Sequence, residues 1–380
     1  MGMGLEKGRL IQHEWDVFFC LFKQLKKKKR RRRMKKIAVL QGDYIGPEIM
    51  HAGLEVLKLA SENTSFKYRI YNYPFGGEAI DRYGEPLPEE TLKGCQDSDA
   101  ILLSAIGGPR WDKKRVRPET GLLEIRKHLG LFANIRPTMI NKVLAEKSPI
   151  KAEVLEGTDF VIVRELTSGI YFGKPRELDA KLAIDTSSYK AEEVERIMRV
   201  GFEMSRHRKK HVTVVDKANV LATSKLWRKV AEKISEEYSD IKIDYCYVDA
   251  AAMKIITQPN SFDVIVTANL FGDILSDEAS VLTGSLGTIP SMSVGVRGPS
   301  LYEPIHGSAP DIAGEGIANP ISMILSIEMM LRESFKEYEI ANNIAQAVEK
   351  TIEKRFLTPD LGGVATTNQV VKEVIKNLKG

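Results

Sequence analysis

The sequence predicts an α/β fold of two domains, on three observations. Its 380 residues exceed the size at which one hydrophobic core stops growing. From Lys36 onward, short apolar runs alternate with helix-like stretches, the pattern of a parallel α/β sheet. The chemistry-bearing residues, Asp273 and Asp277 foremost, fall where such a run gives way to a helix, the edge at which open α/β sheets bind ligands.

Composition narrows the class. Cys20, Cys95 and Cys246 are far apart and form no CxxC pair, which argues against a disulfide framework or structural zinc and for a reducing compartment, the cytoplasm by default. No apolar run approaches the roughly 20 residues needed to span a bilayer. The net charge of +5 belongs to one segment: residues 1–33 hold 11 Lys or Arg against 3 acids, leaving 45 basic against 48 acidic residues elsewhere. Beyond the leader, nothing favours a nucleic-acid partner.

Within the leader, Lys26 to Arg33 is an unbroken basic run after the apolar patch Val17 to Phe22, the reverse of a secretory signal's order. Such a block can act as a disordered arm on nucleic acid or an anionic membrane. Adjacent arginines can also be written in purine-only codons, the signal that bacterial ribosomes bind just upstream of a start. On that reading Met34 begins the protein, and residues 1–33 are no part of the fold.

From Met34, the strand KIAVLQ turns through GDYIGPE (Gly42–Glu48) into a helix reaching about Glu62. No GxGxxG follows this strand and no GxxxxGK[ST] occurs, so an ordinary Rossmann or P-loop site is excluded. Strand Tyr68–Pro74, a helix from Pro88 and strand Ala100–Ile106 continue the alternation. The stretch PETGLLEIRKHLGLFANIRP (Pro118–Pro137) then opens a helix with Leu122 and Arg126 on one face and ends an apolar run with Arg136. In FVIVRELTSGIYFG, Arg164 closes a strand and Tyr171 falls in an expected hairpin. Each arginine alone reads as a surface ion pair; together, Arg126, Arg136 and Arg164 offer the planar forks that grip a dicarboxylate.

Strand His211–Val215 runs into Asp216-Lys217-Ala218-Asn219, and strand Ile241–Val248 into Asp249. Lys217 is a base candidate if burial or a metal lowers its pKa. Asp249 reads equally as a metal ligand or a turn residue. The run FDVIVTANLFGDILSDEAS (Phe262–Ser280) is a buried strand feeding a helix on which Asp273 and Asp277, four apart, share a face. Two hard oxygen donors suit Mg²⁺ or Mn²⁺, while an acid in the first turn would merely complement the helix dipole. The long Gly, Pro and Ser-rich region from Gly284 to Pro320 reads as a functional loop with His306, Asp311 and Asn319 as ligand contacts. Helices from Pro320 to about Lys336, and ending near Arg355, complete the packing.

From Lys35 to the C-terminus these motifs, GDYIGPE, ETGLLEIRK, NIRP, RELTSGIYFG, DKANV, YVDAAAM, NLFGDILSDEAS and HGSAPDIAGEGIANP, resemble those of the β-decarboxylating dehydrogenases, the isocitrate and isopropylmalate dehydrogenases. The resemblance implies an isopropylmalate dehydrogenase-like two-domain α/β fold, not a Rossmann fold. Residues 34–131 with 282–380 would form the cofactor-side domain, and residues 132–281 the domain holding metal, substrate and dimer arm. It implies a homodimer with shared active sites and hydride transfer from a substrate hydroxyl to NAD⁺, followed by loss of CO₂. By resemblance Arg126, Arg136 and Arg164 hold the substrate carboxylates, Lys217 is the base and Tyr171 helps protonate the enolate carbon. Asp273, Asp277 and the partner's Asp249 hold Mg²⁺ or Mn²⁺, and Lys217 also crosses to the partner's site.

The same resemblance carries cofactor contacts to Gly108, Pro109 and Glu119 near the nicotinamide, and to His306, Gly307, Ser308, Ala309, Pro310, Asp311 and Asn319. Asp311 would meet the adenosine ribose and repel a 2′-phosphate, favouring NAD⁺ over NADP⁺. Leu122, with Val220 of the partner, would make an apolar pocket for a branched alkyl group. A third carboxylate buried there would be unpaired. The implied substrate is 3-isopropylmalate, with tartrate, another alkylmalate or homoisocitrate as alternatives. One departure stands out: the family's GDGIGPE reads GDYIGPE here, so Tyr44 replaces a glycine beside the cofactor side of the cleft.

Deleting residues 1–33 separates the readings of the leader. Turnover is expected to survive the deletion, whereas a tail-borne binding function would show salt-sensitive binding that vanishes with the tail.

Overall fold

The computed structural model describes residues 33–140 and 142–379. Apart from Arg33, the basic leader, including its proposed arm and Cys20, lies outside the described residues.

The strands are β1 (Lys35–Leu40), β2 (Tyr68–Asn72), β3 (Ala100–Leu103), β4 (Leu131–Met139), β5 (Asp159–Glu165), β6 (Arg176–Leu178), β7 (Ala183–Asp185), β8 (His211–Asp216), β9 (Lys242–Tyr247), β10 (Val264–Thr267), β11 (Pro290–Gly295) and β12 (Ser300–Pro304). Ten of them form one sheet in the order β2-β1-β3-β12-β11-β4-β5-β10-β8-β9, while β6 and β7 pair separately as a hairpin. The expected parallel pairing is present, in two blocks joined by an antiparallel seam. The strands β2-β1-β3-β12 and β5-β10-β8-β9 form two parallel blocks. Between them β11 runs antiparallel to both β12 and β4, and β4 antiparallel to β5, so the blocks point in opposite directions. The chain crosses between blocks on β4, after the helix Pro118–His128, and returns on β11, after the helix Asn269–Ser280; β11 then passes to its antiparallel neighbour β12 with no helix between.

Period-two alternation sorts each strand between the two faces. On one face Ile37, Val39, Ala133, Ile135, Val163, Val212, Val264, Met292 and Tyr302 join a single apolar layer across both blocks. The helices Gly46–Ser61, Ala191–Arg206, Ala222–Ser235 and Ile321–Met330 contribute to that layer. The other face carries two separate clusters. Ala38, Leu40, Ile101 and Leu103 pack with Phe75 and Ile125 under one block. Ile162, Val215 and Ile265 pack with Ile255 and Leu275 under the other. Between those two clusters the sheet presents polar side chains.

Turns follow the local chemistry. Gly42 takes φ +75°, and a Cβ there would fall 2.2 Å from the Ala105 carbonyl oxygen, so only glycine lets β1 turn beside the loop after β3. Pro47 sits in the first turn of the helix that follows, where its missing N–H costs nothing. The span 284–320, expected as one long loop, instead contains β11 and β12 of the main sheet, because short apolar runs inside a Gly and Pro-rich stretch still pair; only 305–320 holds no helix or strand. The final helix, Thr367–Lys379, was not anticipated; it buries Val370, Val371 and Val374 against the helices Gly46–Ser61 and Tyr338–Glu353.

Helix Ala191–Arg206 lies close to the sheet because Gly201 lacks a side chain: a Cβ there would meet Val266 Cγ2 at 2.2 Å. Gly201→Ala is therefore expected to lower stability by about 1–3 kcal/mol through overpacking, despite alanine's better helix propensity. Urea denaturation checks this, and a parent-like midpoint would show that the helix moves freely.

Candidate active site

The polar gap on the second face is built by register. Asn134 pairs with Ser293 on one side and Arg164 on the other, while Arg136 is two residues along the same face. Ser291 and Glu303 are paired next to them. Arg136 Nε donates to Asn134 Oδ1 at 2.6 Å, and Asn134 Nδ2 donates to Ser293 Oγ at 3.1 Å. Arg126, from the helix Pro118–His128, reaches the same gap and pairs with Glu303 at 3.0 Å.

Arg126, Arg136 and Arg164 are all nearly solvent-free, with relative exposures of 7, 8 and 3%. Burial, then the neighbouring Arg136 charge, pushes Arg164 down to about 10. Burial likewise lowers Arg136, against the opposing pull of Asp273 and Asp277. Three cations held together in a poorly solvated gap require anions. Arg164 Nη1 is in close contact with Asp273 Oδ1, and Arg136 lies 3.8 Å from Asp273 and 3.4 Å from Asp277.

Those acids lie on the helix Asn269–Ser280, one turn apart. Asp273 is in the second turn, and the first turn contains no acid, so dipole capping does not account for it. Burial would raise Asp273, but Arg164, the Tyr171 hydroxyl and Arg136 outweigh it and hold the carboxyl below its ordinary range. Asp277 goes the other way, raised by burial and by Asp273 against the pull of Arg136. An ionised carboxylate one turn from a second suits a hard divalent cation, whose charge would favour ionisation of both. Among the described residues of one chain, no third His, Cys, Asp or Glu joins them.

Tyr171 is not in the hairpin. It closes a 3₁₀ turn, Gly169–Tyr171, and the β6/β7 pairing starts at Arg176. Its hydroxyl donates to Asp273 Oδ2 at 2.8 Å, and burial followed by that bond raises its pKa. Two residues that hold this turn escaped the sequence reading. Glu165, fully buried, accepts from the Thr167 and Ser168 amides at 2.9 and 3.0 Å and from the Thr167 hydroxyl at 2.7 Å. Asn269 accepts from Arg164 Nε and Nη2 at 3.1 and 2.8 Å and donates to the Ser168 carbonyl at 3.3 Å. Glu303 is the third omission. The signal for these was weak: Glu165 and Asn269 stand inside recognised motifs, but nothing in the sequence tells which face they occupy.

Lys217 and Asp249 form a second cluster. Lys217 follows β8, Asp249 lies in the first turn of the helix Val248–Thr257 rather than in a loop turn, and the two are 2.5 Å apart. Val220, near Lys217, is 65% exposed. Leu122 is partly buried against the cluster beneath the first block.

The proposed cofactor residues flank the carboxyl ends of β1, β3 and β12. Asp43 accepts from the Gly77 and Gly107 amides at 3.0 and 2.9 Å, the Ser308 hydroxyl donates to the Gly107 carbonyl at 2.7 Å, and Ile45 N donates to Ser308 O at 3.1 Å. Glu119 lies against Gly107, its Oε1 only 2.2 Å from where a Cβ there would be. Gly307 opens onto free space. His306 Nε2 is buried without a hydrogen-bond partner among the described residues, and burial lowers that imidazole's pKa. An open glycine and an orphaned ring nitrogen beside exposed Asp311 fit a polar ligand such as a nucleotide. Asn319 differs from these: its amide already donates to Asp360 at 2.9 Å, and its carbonyl accepts from Ile321 N.

Fold and site together define an α/β protein with three buried arginines and a carboxylate pair at the reversal between two parallel strand blocks. Comparison with known proteins agrees. The isocitrate/isopropylmalate dehydrogenase profile matches residues 36–374. A 3-isopropylmalate dehydrogenase of Listeria monocytogenes is 56% identical over 345 residues, 91% of this chain and 99% of the relative. One of Streptococcus mutans is 58% identical over 345 residues, 91% of this chain and all of the relative. Among solved structures, isocitrate dehydrogenase from Methylococcus capsulatus superposes with a TM-score of 0.82 at 34% identity, covering 91% of this chain and 100% of that one. A β-decarboxylating dehydrogenase from Thermococcus kodakarensis gives 0.75 at 36% identity, covering 91% of this chain and 96% of that one. The chain belongs to the isocitrate/isopropylmalate dehydrogenase family.

The Asp273 charge is expected to show in acid unfolding. Because its folded pKa is depressed, its stabilising contribution is complete above the unfolded value of about 3.9 and is lost as pH falls through the folded value. Asp273→Asn should thus be less stable than the parent near pH 6, with the difference shrinking below about pH 4. Urea midpoints across that range test this; a pH-independent difference would mean the charge contributes nothing.

Proposed function

We propose that this chain oxidises and decarboxylates 3-isopropylmalate to 4-methyl-2-oxopentanoate and CO₂ with reduction of NAD⁺, a step of leucine biosynthesis. The observation that carries this reading is the convergence of three buried guanidiniums on one sheet face beside the Asp273–Asp277 pair. The 55–58% identity to relatives named 3-isopropylmalate dehydrogenase supports the choice of substrate within the family.

Charge balance supports both a dicarboxylate and a metal. Arg126, Arg136 and Arg164 face Asp273, Asp277 and Glu303, three cations against three carboxylates. A dianionic substrate entering alone would leave buried negative charge uncompensated, and a divalent cation restores neutrality. We read residues 34–131 with 282–380 as one domain and 132–281 as the other; the opposed strand blocks support that division. Exposed apolar side chains Val220, Tyr247, Met253 and Ile274 on the second block, and Leu178 and Leu182 at the β6/β7 arm, support a homodimer. In it Lys217 and Asp249 of the partner subunit complete the site around Asp273 and Asp277.

Arg126, Arg136 and Arg164 hold the two substrate carboxylates by charge-assisted hydrogen bonds. Leu122, with Val220 from the partner, receives the isopropyl group. Lys217 takes the proton of the substrate hydroxyl as its carbon gives up hydride. Asp273, Asp277 and the partner's Asp249 would hold a divalent cation, which would supply Lewis acidity toward the hydroxyl oxygen, and NAD⁺ at the proposed cofactor residues would supply the hydride acceptor. Once CO₂ has left, Tyr171, a phenol protonated near neutral pH, delivers a proton to the carbon that lost it. Asp311 favours NAD⁺ by repelling a 2′-phosphate. Buried free Cys95 and Cys246 suit a reducing cytoplasm. Among the described residues, no helix is long and apolar enough to cross a membrane.

NADH formation from a panel of 2-hydroxy dicarboxylates with Mg²⁺ or Mn²⁺ tests the reading. Isopropylmalate should be turned over fastest, and activity only on tartrate, another alkylmalate or homoisocitrate would replace it. The shared site is tested by mixing two inactive variants. Lys217→Ala and Asp277→Asn chains should regain roughly a quarter of parental activity when refolded together, since half the dimers are hybrids with one intact site each. No recovery would argue for sites confined to one chain.

A further inference from the structure

The turn after β1 contains a residue out of keeping with its backbone. Tyr44 takes φ +51°, in the left-handed region that disfavours side chains with a Cβ. Such a conformation persists only where surrounding contacts over-determine it. Here those contacts all lead to one loop. The Tyr44 ring lies over Gly108, where a Cβ would be 2.3 Å from Tyr44 Cε2, and Gly108 itself has φ +138°. The ring also meets Trp111 edge-on, with centroids 5.7 Å apart at 72°, and the hydroxyl faces the Arg110 amide at 3.4 Å.

The far side of the loop is anchored as well. Trp111, 5% exposed, covers Gly77, where a Cβ would fall 2.2 Å from the indole. Its Nε1 donates to Asp81 at 3.2 Å, and Arg110 and Lys114 pair with the same carboxylate at 3.0 and 2.8 Å. Asp43 holds the near end of this loop through the Gly107 amide, and Tyr44 ties its Gly108–Trp111 portion to the same β1 turn, whose next residue, Ile45, bonds to Ser308.

We propose that Tyr44 is a positioning residue: a strut that holds the Gly107–Trp111 loop against the β1 turn in the conformation that receives the cofactor, and so sets cofactor affinity. The proposal rests on the cofactor reading above for Gly108, Pro109 and Ser308. A residue that only filled space would affect stability, not affinity. A strut affects affinity through the fraction of molecules whose loop is already in place.

The test compares Tyr44→Gly, which relaxes the backbone and removes the ring, with Tyr44→Phe, which keeps the ring and loses a long hydrogen bond. Two quantities are measured on the full chain: amide hydrogen exchange across residues 107–116 without ligand, and NAD⁺ binding by calorimetry, followed by steady-state kinetics. In Tyr44→Gly, loop exchange should speed up and NAD⁺ affinity fall, each by about tenfold, with thermal stability maintained. The KM for NAD⁺ should rise likewise, with kcat and the KM for the hydroxy acid within about twofold of the parent, and Tyr44→Phe should behave as the parent. Unchanged loop exchange or unchanged NAD⁺ affinity in Tyr44→Gly overturns the proposal. Failure of the parent itself to bind NAD⁺ would instead refute the cofactor reading, and loop exchange would still decide whether Tyr44 is a strut.

Discussion

Three guanidiniums buried in a gap between two apolar clusters set the terms for their surroundings. A charge out of water is tolerated only with a partner, so each arginine fixes the position of something else. Arg164 takes Asn269 and Asp273, Arg136 takes Asn134 and lies near Asp277, and Arg126 takes Glu303. Through Asp273 the constraint reaches Tyr171, and through Asn269 the turn that carries it. The arrangement of the candidate site thus follows from electrostatic necessity as much as from the placement of individual side chains. The alternation that sends Ala133 and Ile135 to the common core sends Asn134 and Arg136 to the gap.

Elements that carry their own periodicity were readable before the structure. β1, β10 and the helix bearing Asp273 follow directly from apolar runs and turn residues, and the absence of a glycine fingerprint excluded a Rossmann site. Motif likeness supplied the arginines, Tyr171 and Lys217. Relations between distant segments were not readable. Glu303 acquires meaning only when β12 comes beside the helix carrying Arg126, 177 residues earlier in the chain. The antiparallel seam was missed because a strand's own sequence does not state its direction. Tyr171 was assigned to a hairpin because a 3₁₀ turn and a hairpin arm share the same glycine-rich signals.

Tyr44 and Asp273 illustrate opposite relations between local preference and tertiary context. For Asp273, local reasoning offered helix capping, which its second-turn position removes. For Tyr44, local reasoning objected to the torsion, and the surrounding loop imposes it all the same. In both, a departure from local expectation coincides with the proposed chemistry, as expected where a fold accepts strain for a site.

The interleaved seam also has a consequence for the newly made chain. β3 must wait for β12, and β4 for β11, so two central strands remain unpaired on one side until nearly 200 further residues have been added to β3. Open strand edges of this kind template association between chains. Synthesis of this protein therefore passes through a period in which one edge each of β3 and β4 is open to other chains. Crowded or fast translation should reveal that period as lost yield rather than lost activity.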